Sequence, residues 1–335
     1  MEQIAFILGE RSLYWSSIIL VLASAAAVCL FLGLYLGKSG NLTAGFAAVP
    51  LAVLFSVLAA RLIHWYCYAE TYKSFASAMT DYSSGGNALL GVFAGCLLAA
   101  VFTRLTRLHQ NLPEMLDCMC LSGSAAIAVG RLASFFNSSD RGQIVNSIRS
   151  MPWVYPVTNA VSGATEYRLA TFLLQAMAAA LLFLVLGAFY LTGKRRSLKD
   201  GDSSLLFLLC YGASLVVLDS TRYDSMYFRS NGFVSIVQVL GALALALAIV
   251  LFSVRLVKAR GFKVWYIALW AAITALIGCA GYMEYHVQRH GNEAVFAYSV
   301  MSICLCLVVT LTLVIRGMAR KQKEPQPTGR YLRAK

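Results

Sequence analysis

Long apolar runs recur along the whole chain, and they constrain its fold more than any other feature. Each run is close to the roughly 20 residues that an α-helix needs to cross a bilayer. The runs are continuous, whereas the strands of a transmembrane β-barrel alternate between apolar and polar residues. With 59% hydrophobic and only 13% charged residues, the chain also departs from soluble proteins, which are roughly half apolar and a quarter charged. We therefore predict an all-α, polytopic integral membrane protein with about nine transmembrane helices, at about 13–37, 44–66, 85–103, 115–136, 168–192, 203–221, 232–254, 264–283 and 296–316.

The connections between the runs fall into two sets that differ in charge. Lys and Arg dominate the connections after the first, third, fifth and seventh runs and the end of the chain, whereas the other connections mix acidic and basic residues. Cytoplasmic loops carry an excess of Lys and Arg, so we predict an N-terminus outside and a C-terminus in the cytoplasm. Most of the net charge of +13 lies in these short loops and the tail, so it does not indicate a nucleic-acid partner.

Two polar segments differ from the apolar pattern. The connection 137–167 is the longest and contains Pro152, Trp153, Tyr155 and Pro156. It predicts a small extracytoplasmic cap between spans four and five, with aromatic rings at headgroup depth. The tail is basic and contains proline, so we expect it to be disordered and attracted to anionic lipids. The nine cysteines lie mostly inside apolar runs, where they are expected to be small buried hydrophobic residues and not metal ligands.

Arg131 is the charge that most needs an explanation. It lies inside the outer end of the fourth run, where an arginine costs a few kcal/mol or more unless it is paired or binds an anion. The predicted topology places four further arginines near the same face: Arg61, Arg141, Arg222 and Arg229. His64 follows Arg61 by three residues, so the two share one helical face.

These arginines have two interpretations. Arginine binds phosphate through paired, charge-assisted hydrogen bonds, and the abundant anion at this depth is a phospholipid headgroup. Alternatively, the arginines snorkel to the interface or pair with an acidic neighbour, for which the candidates are Asp219, Asp140 and Glu70. The first interpretation predicts a lipid-phosphate site at the outer face.

The stretch from Gly130 to Gly142 has the pattern G-R-L-x-x-F-F-N-x-x-D-x-G, which resembles the signature of the prolipoprotein diacylglyceryl transferases. Three further segments resemble motifs of that family and keep their order: Ala60-Arg61-Leu62-Ile63-His64-Trp65-Tyr66, Ser84-Gly85-Gly86-x-x-x-Leu90-Gly91 and Tyr211-Gly212-x-x-x-x-x-x-Asp219-x-x-Arg222. The family has seven spans, an outside N-terminus and a cap between spans four and five. Together with the charge pattern, the resemblance implies a membrane core over 1–254, two additional helices over 255–316 and a basic tail over 317–335.

The resemblance implies a transferase of the bacterial plasma membrane without a metal or organic cofactor. Members of the family move a diacylglyceryl group from phosphatidylglycerol to the lipobox cysteine thiol of a prolipoprotein signal peptide at the outer leaflet, releasing glycerol phosphate. By this resemblance, Arg131 holds the lipid phosphate and Arg222 stabilises the departing phosphate. Tyr211 and His64 complete the implied catalytic set. The implied substrate-binding residues are Arg61, Ser84, Gly85, Gly86, Asn137, Asp140, Arg141 and Asp219.

The sequence departs from the family pattern at two positions that the reaction would need for proton transfer and for stabilising the leaving group. The family's histidine before the two glycines is Ser84 here, and the arginine four residues after its tyrosine is Leu215. A thiol with a pKa of roughly 8.5 reacts as the thiolate and benefits from a base, for which His64 is the candidate substitute. Two hypotheses follow: a divergent transferase, or a degenerate family member that binds phospholipid or lipoprotein without turnover. A small-molecule transporter is disfavoured, because no span has a charge near its middle, where transport sites usually lie.

Overall fold

The structure is a computed structural model that describes most of the chain. The described residues are 4–8, 11–81, 88–137, 141–145, 152–158, 163–194, 199–228, 231–290 and 293–320. Ten α-helices lie within these ranges: α1 Trp15–Ser39, α2 Leu42–Cys67, α3 Phe75–Thr80, α4 Ala88–Leu105, α5 Leu112–Gly130, α6 Thr171–Lys194, α7 Asp202–Ser220, α8 Ile236–Arg260, α9 Trp265–His290 and α10 Ala294–Arg320. Two short 3₁₀ turns, Ala69–Thr71 and Arg131–Phe135, lie beyond the ends of α2 and α5.

In the described part of the chain, nine helices are long and apolar enough to cross a membrane, namely all except α3. Each of the nine overlaps one predicted span, so the prediction of an all-α, polytopic membrane protein is confirmed. Local chemistry sets several of the helix ends. Gly40 ends α1 in the left-handed conformation, with φ 67°. The Asn41 side chain then caps α2 by accepting a hydrogen bond from the Ala44 N–H at 3.0 Å.

Three short antiparallel hairpins accompany the helices in the described residues. Their strands are β1 Ile4–Leu8 with β2 Arg11–Tyr14, β3 Val154–Thr158 with β4 Thr165–Leu169, and β5 Tyr227–Phe228 with β6 Asn231–Ser235. They precede α1, α6 and α8, the first, fifth and seventh spans. Because successive spans run in opposite directions, the three hairpins lie at one end of the bundle, here called the hairpin end. The sequence predicted a cap between spans four and five but no strands in it.

Small residues bring α2 and α4 into close contact. A Cβ atom added at Gly91 would lie 2.6 Å from the Ala60 Cβ, and one added at Gly95 would lie 2.6 Å from the Ser56 Cα. Such an approach is typical of membrane helices, where packing and not the hydrophobic effect drives association. The packing fixes α2, which carries Arg61 and His64, against its neighbour.

Polar side chains connect α1, α5 and α7 at the end of the bundle opposite the hairpins. The buried Asp117 carboxylate of α5 accepts hydrogen bonds from the Gly201 N–H and the Ser204 N–H, both at 2.8 Å. It therefore caps the N-terminus of α7 from a different helix. Next to it, Asp200 accepts hydrogen bonds from Lys38 at 2.7 Å and from the Asn111 amide at 2.6 Å. These contacts, here called the polar clamp, tie three spans together.

By its internal contacts the chain divides into two compact units, Met1–Ala244 and Leu245–Lys335. The division falls inside α8. The first unit holds α1 to α7 and the three hairpins, and every residue of the candidate site described below belongs to it. In the second unit, α9 packs along α10. The predicted boundary at residue 254 stays a proposal.

Candidate active site

A short extended segment, residues 141–145, joins the β3–β4 hairpin to the end of α7. On one side, the Gly142 N–H donates to the Leu169 carbonyl at 3.0 Å. On the other side, the Gln143 N–H donates to the Thr221 carbonyl at 3.0 Å, and the Tyr223 N–H to the Arg141 carbonyl at 2.8 Å. The segment therefore places the end of the predicted signature directly beside Arg222.

Asp219, on the last turn of α7, is the centre of the site. It is 1% exposed, and its carboxylate accepts hydrogen bonds from Arg222 at 3.1 Å, from the Ser225 hydroxyl at 3.2 Å and from the Ser235 hydroxyl. The charge of Arg131 also acts on this carboxylate. The structure thus brings together three predicted site residues, Arg131, Asp219 and Arg222, from two distant parts of the chain.

Arg222 is bound by two carboxylates. Besides Asp219, it contacts Asp224, whose Oδ1 atom lies 3.1 Å from the Arg222 Nε and 3.0 Å from its Nη2. Of the two interpretations of the arginines, the pairing with an acidic neighbour is the one that Arg222 displays. A phosphate that binds Arg222 therefore has to compete with Asp219 and Asp224.

Arg131 begins the 3₁₀ turn that follows α5. Aromatic contacts hold this turn in place: the Phe135 ring lies 4.6 Å from the Phe172 ring of α6, and the Phe136 ring lies 6.1 Å from the Trp15 ring of α1. Asn137 follows the turn and is half-buried. The family signature therefore forms the wall between α1 and α6 at the hairpin end.

Arg61 contacts backbone carbonyls near α3. Its guanidinium is buried and donates through Nε to the Ala78 carbonyl at 2.9 Å and through Nη2 to the Ala78 and Asp81 carbonyls. A buried charge with several hydrogen bonds holds its partners firmly. Arg61 thus anchors the segment 75–81 to α2, and its predicted role in substrate binding stays a proposal.

His64 lies in an aromatic cluster at the end of α2. Its Nδ1 atom is 2.6 Å from the Tyr72 hydroxyl, and its ring is 4.8 Å from the Tyr68 ring. Burial raises the pKa of Tyr68 above its ordinary value; Cys67 and Asp224 raise it further, and Arg222 opposes them. The charges of Asp224 and Arg222 therefore act on Tyr68, which packs beside the His64 ring.

The β3–β4 hairpin adds positive charge to the same end of the bundle. Arg168 is buried, forms an ion pair with Glu166 at 2.7 Å, and places its guanidinium 4.7 Å from the centre of the Tyr223 ring. Burial raises the pKa of Tyr155, while the charges of Arg141 and Arg168 oppose this rise. Arg141, a predicted site residue, therefore lies near the cap and not apart from it.

Tyr211 lies deeper in the bundle than Asp219, two turns earlier on α7. It is buried and stacks on Phe207, with ring centres 5.2 Å apart, and its ring lies 5.7 Å from the Phe93 ring of α4. Leu215, between Tyr211 and Asp219, is also buried. A Cβ atom added at Gly241 of α8 would lie 3.0 Å from the Leu215 Cβ, so this leucine faces the neighbouring helix.

Gln175 of α6 is a polar residue that the sequence patterns did not single out. It is 1% exposed, and within the described residues neither its amide nitrogen nor its amide oxygen has a hydrogen-bond partner. Phe135 packs on Phe172, and α5 and α6 run in opposite directions. Arg131 lies about one helical turn before Phe135, and Gln175 about one turn after Phe172. The two residues therefore lie at a similar depth in the bundle. The signal in the sequence was an amide inside an otherwise apolar run.

Some predicted features lie outside the described residues: Ser84, Gly85, Gly86, Asp140, Arg229 and the tail from residue 321. Within the described ranges, no group of three or more His, Cys, Asp and Glu side chains gathers in a way that holds a metal ion.

Comparison with known proteins gives consistent results. The sequence model of the family described as prolipoprotein diacylglyceryl transferase matches residues 3–254. The chain is similar to a phosphatidylglycerol–prolipoprotein diacylglyceryl transferase of Lactococcus lactis subsp. cremoris (strain MG1363), with 27% identity over 77% of this chain and 96% of that protein. It is also similar to a protein of the same name from Streptococcus equi subsp. zooepidemicus (strain H70), with 26% identity over 72% of this chain and 93% of that protein. A third protein of this name, from Parasynechococcus marenigrum (strain WH8102), is 28% identical over 73% of this chain and 90% of that protein. The family match covers more than half of the chain and includes the whole Asp219 cluster, so the protein belongs to the prolipoprotein diacylglyceryl transferase family.

Proposed function

We propose that this protein transfers a diacylglyceryl group from phosphatidylglycerol to the lipobox cysteine of prolipoprotein signal peptides at the outer leaflet of a bacterial plasma membrane. The cysteine sulfur forms a thioether bond to the diacylglyceryl carbon while the bond between that carbon and the phosphate oxygen breaks. The thiol proton leaves to a base or to water, and glycerol phosphate departs. The names of the relatives support the donor and the acceptor, and the positive-inside charge pattern supports the leaflet.

The observation that carries the proposal is the ion pair of Arg222 with Asp219 at the hairpin end of the bundle, on which the charge of Arg131 also acts. Two guanidinium groups at the edge of the apolar region can bind a lipid phosphate that arrives from the bilayer. As the carbon–oxygen bond breaks, negative charge grows on the phosphate, and fixed cations stabilise this charge more in the transition state than in the ground state. Asp219 orients Arg222 and offsets the cost of keeping both cations near lipid.

We assign the proton transfer to the aromatic cluster around His64. The Tyr72 hydroxyl is within hydrogen-bond distance of His64 Nδ1, and this contact fixes the orientation of the imidazole ring. In the tautomer whose Nδ1–H donates to the Tyr72 hydroxyl oxygen, the opposite nitrogen, Nε2, is unprotonated and takes the thiol proton. Tyr68 packs on the imidazole ring, and the charge of Arg222 acts on Tyr68.

The first test is lipid binding by the purified protein. Wild-type protein in nanodiscs should bind phosphatidylglycerol in preference to phosphatidylcholine, and Arg131→Ala should weaken the preference. Arg104→Ala, at the end of α4 that lies opposite the hairpins, is the matched control and should leave the preference unchanged. A preference as strong in Arg131→Ala as in the wild type would remove Arg131 from the phosphate site.

The second test is turnover. The protein is incubated with phosphatidylglycerol and a lipobox peptide, and mass spectrometry looks for the thioether-linked diacylglyceryl product. Wild-type protein should form it, and Arg131→Ala should form it about a hundredfold more slowly or worse, the usual cost of losing one charge-stabilising contact. Complementation of a strain without its own transferase gives the same answer in cells.

A degenerate, lipid-binding family member is the second candidate function. The two carboxylates on Arg222 and the buried Leu215 favour it, because both reduce the positive charge at the leaving group. Under this alternative, wild-type protein forms no product, whereas a Ser84→His, Leu215→Arg variant forms it. Product from the wild type would exclude the alternative.

A further inference from the structure

An apolar groove runs between α8 and α9 in the second unit. It has a volume of about 570 Å³, within the usual range for small-molecule sites. On α8 its lining residues recur three or four positions apart, from Ala246 to Lys258, and on α9 they run from Trp270 to Ile277. From Ala246 to Val257 the stripe extends over roughly 17 Å, at 1.5 Å per residue. The groove is therefore long and narrow and follows the helix axes.

The groove has apolar walls and one polar end. Its floor includes the buried Ile249 and Ile273, and exposed valines such as Val250 and Val254 form its rim. The Trp270 Nε1 donates a hydrogen bond to the Ser253 hydroxyl at 3.1 Å. This bond satisfies the indole N–H and holds the Trp270 ring as part of the wall. An occupant therefore meets hydrocarbon along almost the whole groove.

Lys258 supplies the charge at the polar end of the groove. Among the described residues it is in no ion pair. Three further cations lie close to it in the sequence, Arg255, Arg260 and Lys263, and no acidic residue occurs between Asp224 and Glu284. The aromatic contacts of Phe262, Tyr266 and Trp270 lie at the same end, as expected for headgroup depth.

We propose that this groove binds an anionic diacyl phospholipid, with one acyl chain along the α8–α9 groove and the phosphate at Lys258. A chain of methylene groups matches the apolar stripe in shape and polarity. The positive charge of Lys258 selects a headgroup with a net negative charge over a zwitterionic one, whose ammonium group it repels. The family match ends at residue 254, so the lining residues from Ala246 to Val254 lie within it, whereas Lys258 and Trp270 lie beyond it. None of the lining residues belongs to the Asp219 cluster, so the proposal does not depend on the proposed function.

Fluorescence quenching by brominated lipids tests the proposal, because Trp270 lines the groove. Full-length protein that keeps Trp270 and carries Phe at the four other tryptophans is reconstituted with phosphatidylglycerol or phosphatidylcholine brominated in the acyl chains. Brominated phosphatidylglycerol should quench the Trp270 fluorescence at a mole fraction roughly fivefold lower than brominated phosphatidylcholine. This factor is the effect expected of one lysine near an anionic lipid. Lys258→Gln should abolish this difference and Lys258→Arg should keep it.

Lys263→Gln is the matched control, since it removes an equal charge from the same loop without lining the groove, and it should keep most of the preference. Equal quenching of wild-type Trp270 by both lipids, or a preference that survives in Lys258→Gln, overturns the proposal. Quenching by neither lipid also overturns it, because protein and not lipid then fills the groove. If the tryptophan variants do not fold, native mass spectrometry of lipid retained by wild type, Lys258→Gln and Lys263→Gln gives the same comparison.

Discussion

At the scale of single residues, Asp219 accounts for charges that are costly at a membrane edge. Arg131 has no acidic neighbour in the sequence around it, yet the fold brings it under the influence of Asp219. Asp219 is itself held by Arg222 and by the hydroxyls of Ser225 and Ser235. Buried charges persist when they are paired and hydrogen-bonded, so the cluster forms as a unit.

Replacing Gln175 should affect the stability and the activity of the protein in opposite directions. A buried amide without partners costs about 1–3 kcal/mol, so Gln175→Leu should raise the thermal unfolding temperature. If the amide serves a lipid substrate at the depth of Arg131, the same variant should lose diacylglyceryl transfer. Calorimetry or thermal-shift measurements in detergent, together with the transfer assay, check both effects.

Gln238→Leu is the control for this prediction. The Gln238 amide accepts from the Ser235 N–H at 3.0 Å and donates to the Val216 carbonyl at 3.2 Å, so its replacement should lower the unfolding temperature. A Gln175→Leu variant that is destabilised like Gln238→Leu would show that the Gln175 amide has a structural partner.

Position 142 requires glycine, because the backbone at Leu169 lies too close for a side chain. An added Cβ atom would lie 2.5 Å from the Leu169 carbonyl oxygen and 2.6 Å from the Thr171 hydroxyl, and backbone cannot move aside as a flexible side chain can. Gly142→Ala should therefore destabilise the protein by about 1–3 kcal/mol and detach the segment 141–145 from the cap. Gly123→Ala, where nothing lies within 4 Å, should be neutral or stabilising. Equal unfolding temperatures for the two variants would contradict this account.

At the scale of elements, different contacts hold the helices together at the two ends of the bundle. At one end, the hairpin β3–β4 and the segment 141–145 join the start of α6 to the end of α7 through backbone hydrogen bonds. At the opposite end, the polar clamp joins α1, α5 and α7 through Asp117 and Asp200. Because α7 belongs to both, its position among the neighbouring helices is set from two sides.

The polar clamp predicts a pH dependence of stability. Burial raises the pKa of Asp200, but the hydrogen bonds from Lys38 and Asn111 and the charge of Lys38 outweigh this and hold the pKa below its ordinary value. A depressed folded-state pKa contributes stability above the unfolded-state pKa of about 3.9, and the contribution is lost as the pH falls below it. Asp200 and Lys38 are 36% and 31% exposed, so the contribution is at most about 1 kcal/mol.

Thermal unfolding of wild type and Asp200→Asn checks this prediction. The wild type should be the more stable protein at pH 7. The difference should shrink as the pH falls below the ordinary aspartate pKa of about 3.9 and disappear once the wild-type carboxylate is protonated. A difference that is unchanged at low pH would show that Asp200 acts through packing and not through its charge.

At the scale of the whole molecule, nine spanning helices in the described residues and the charge of the loops define an orientation. Within the first unit, the described basic residues Lys38, Arg104 and Arg107 lie at the end that carries the polar clamp, opposite the hairpins. If the positive-inside rule holds, the Asp219 cluster faces the outer leaflet, where the proposed lipid and prolipoprotein substrates meet.

Reporter fusions test this topology. A fluorescent protein fused after Arg320 should fluoresce, because it folds in the cytoplasm. Alkaline phosphatase inserted near Gly163, at the turn between β3 and β4, should be active, because it folds outside. The opposite pattern of activities would place the candidate site at the cytoplasmic face and would exclude the proposed acceptor site at the outer leaflet.

The helical membrane architecture and the family follow from the apolar runs and the motifs of the chain alone. In a bilayer the backbone must satisfy its own hydrogen bonds, so a run of about 20 apolar residues has few alternatives to a helix. Arg131 and Arg222 were also identified from the sequence, because a charged residue inside or next to an apolar run is easily recognised there.

The partners of these charges, by contrast, follow from the packing of the helices. The influence of Arg131 on Asp219, the backbone carbonyls that hold Arg61 and the cap that Asp117 places on α7 join residues far apart in the chain. The three hairpins and the partnerless amide of Gln175 within the described residues were likewise not predicted. Apolar periodicity records which residues face lipid or core, whereas a polar contact between distant segments depends on how the helices pack, and the local pattern carries no signal of it.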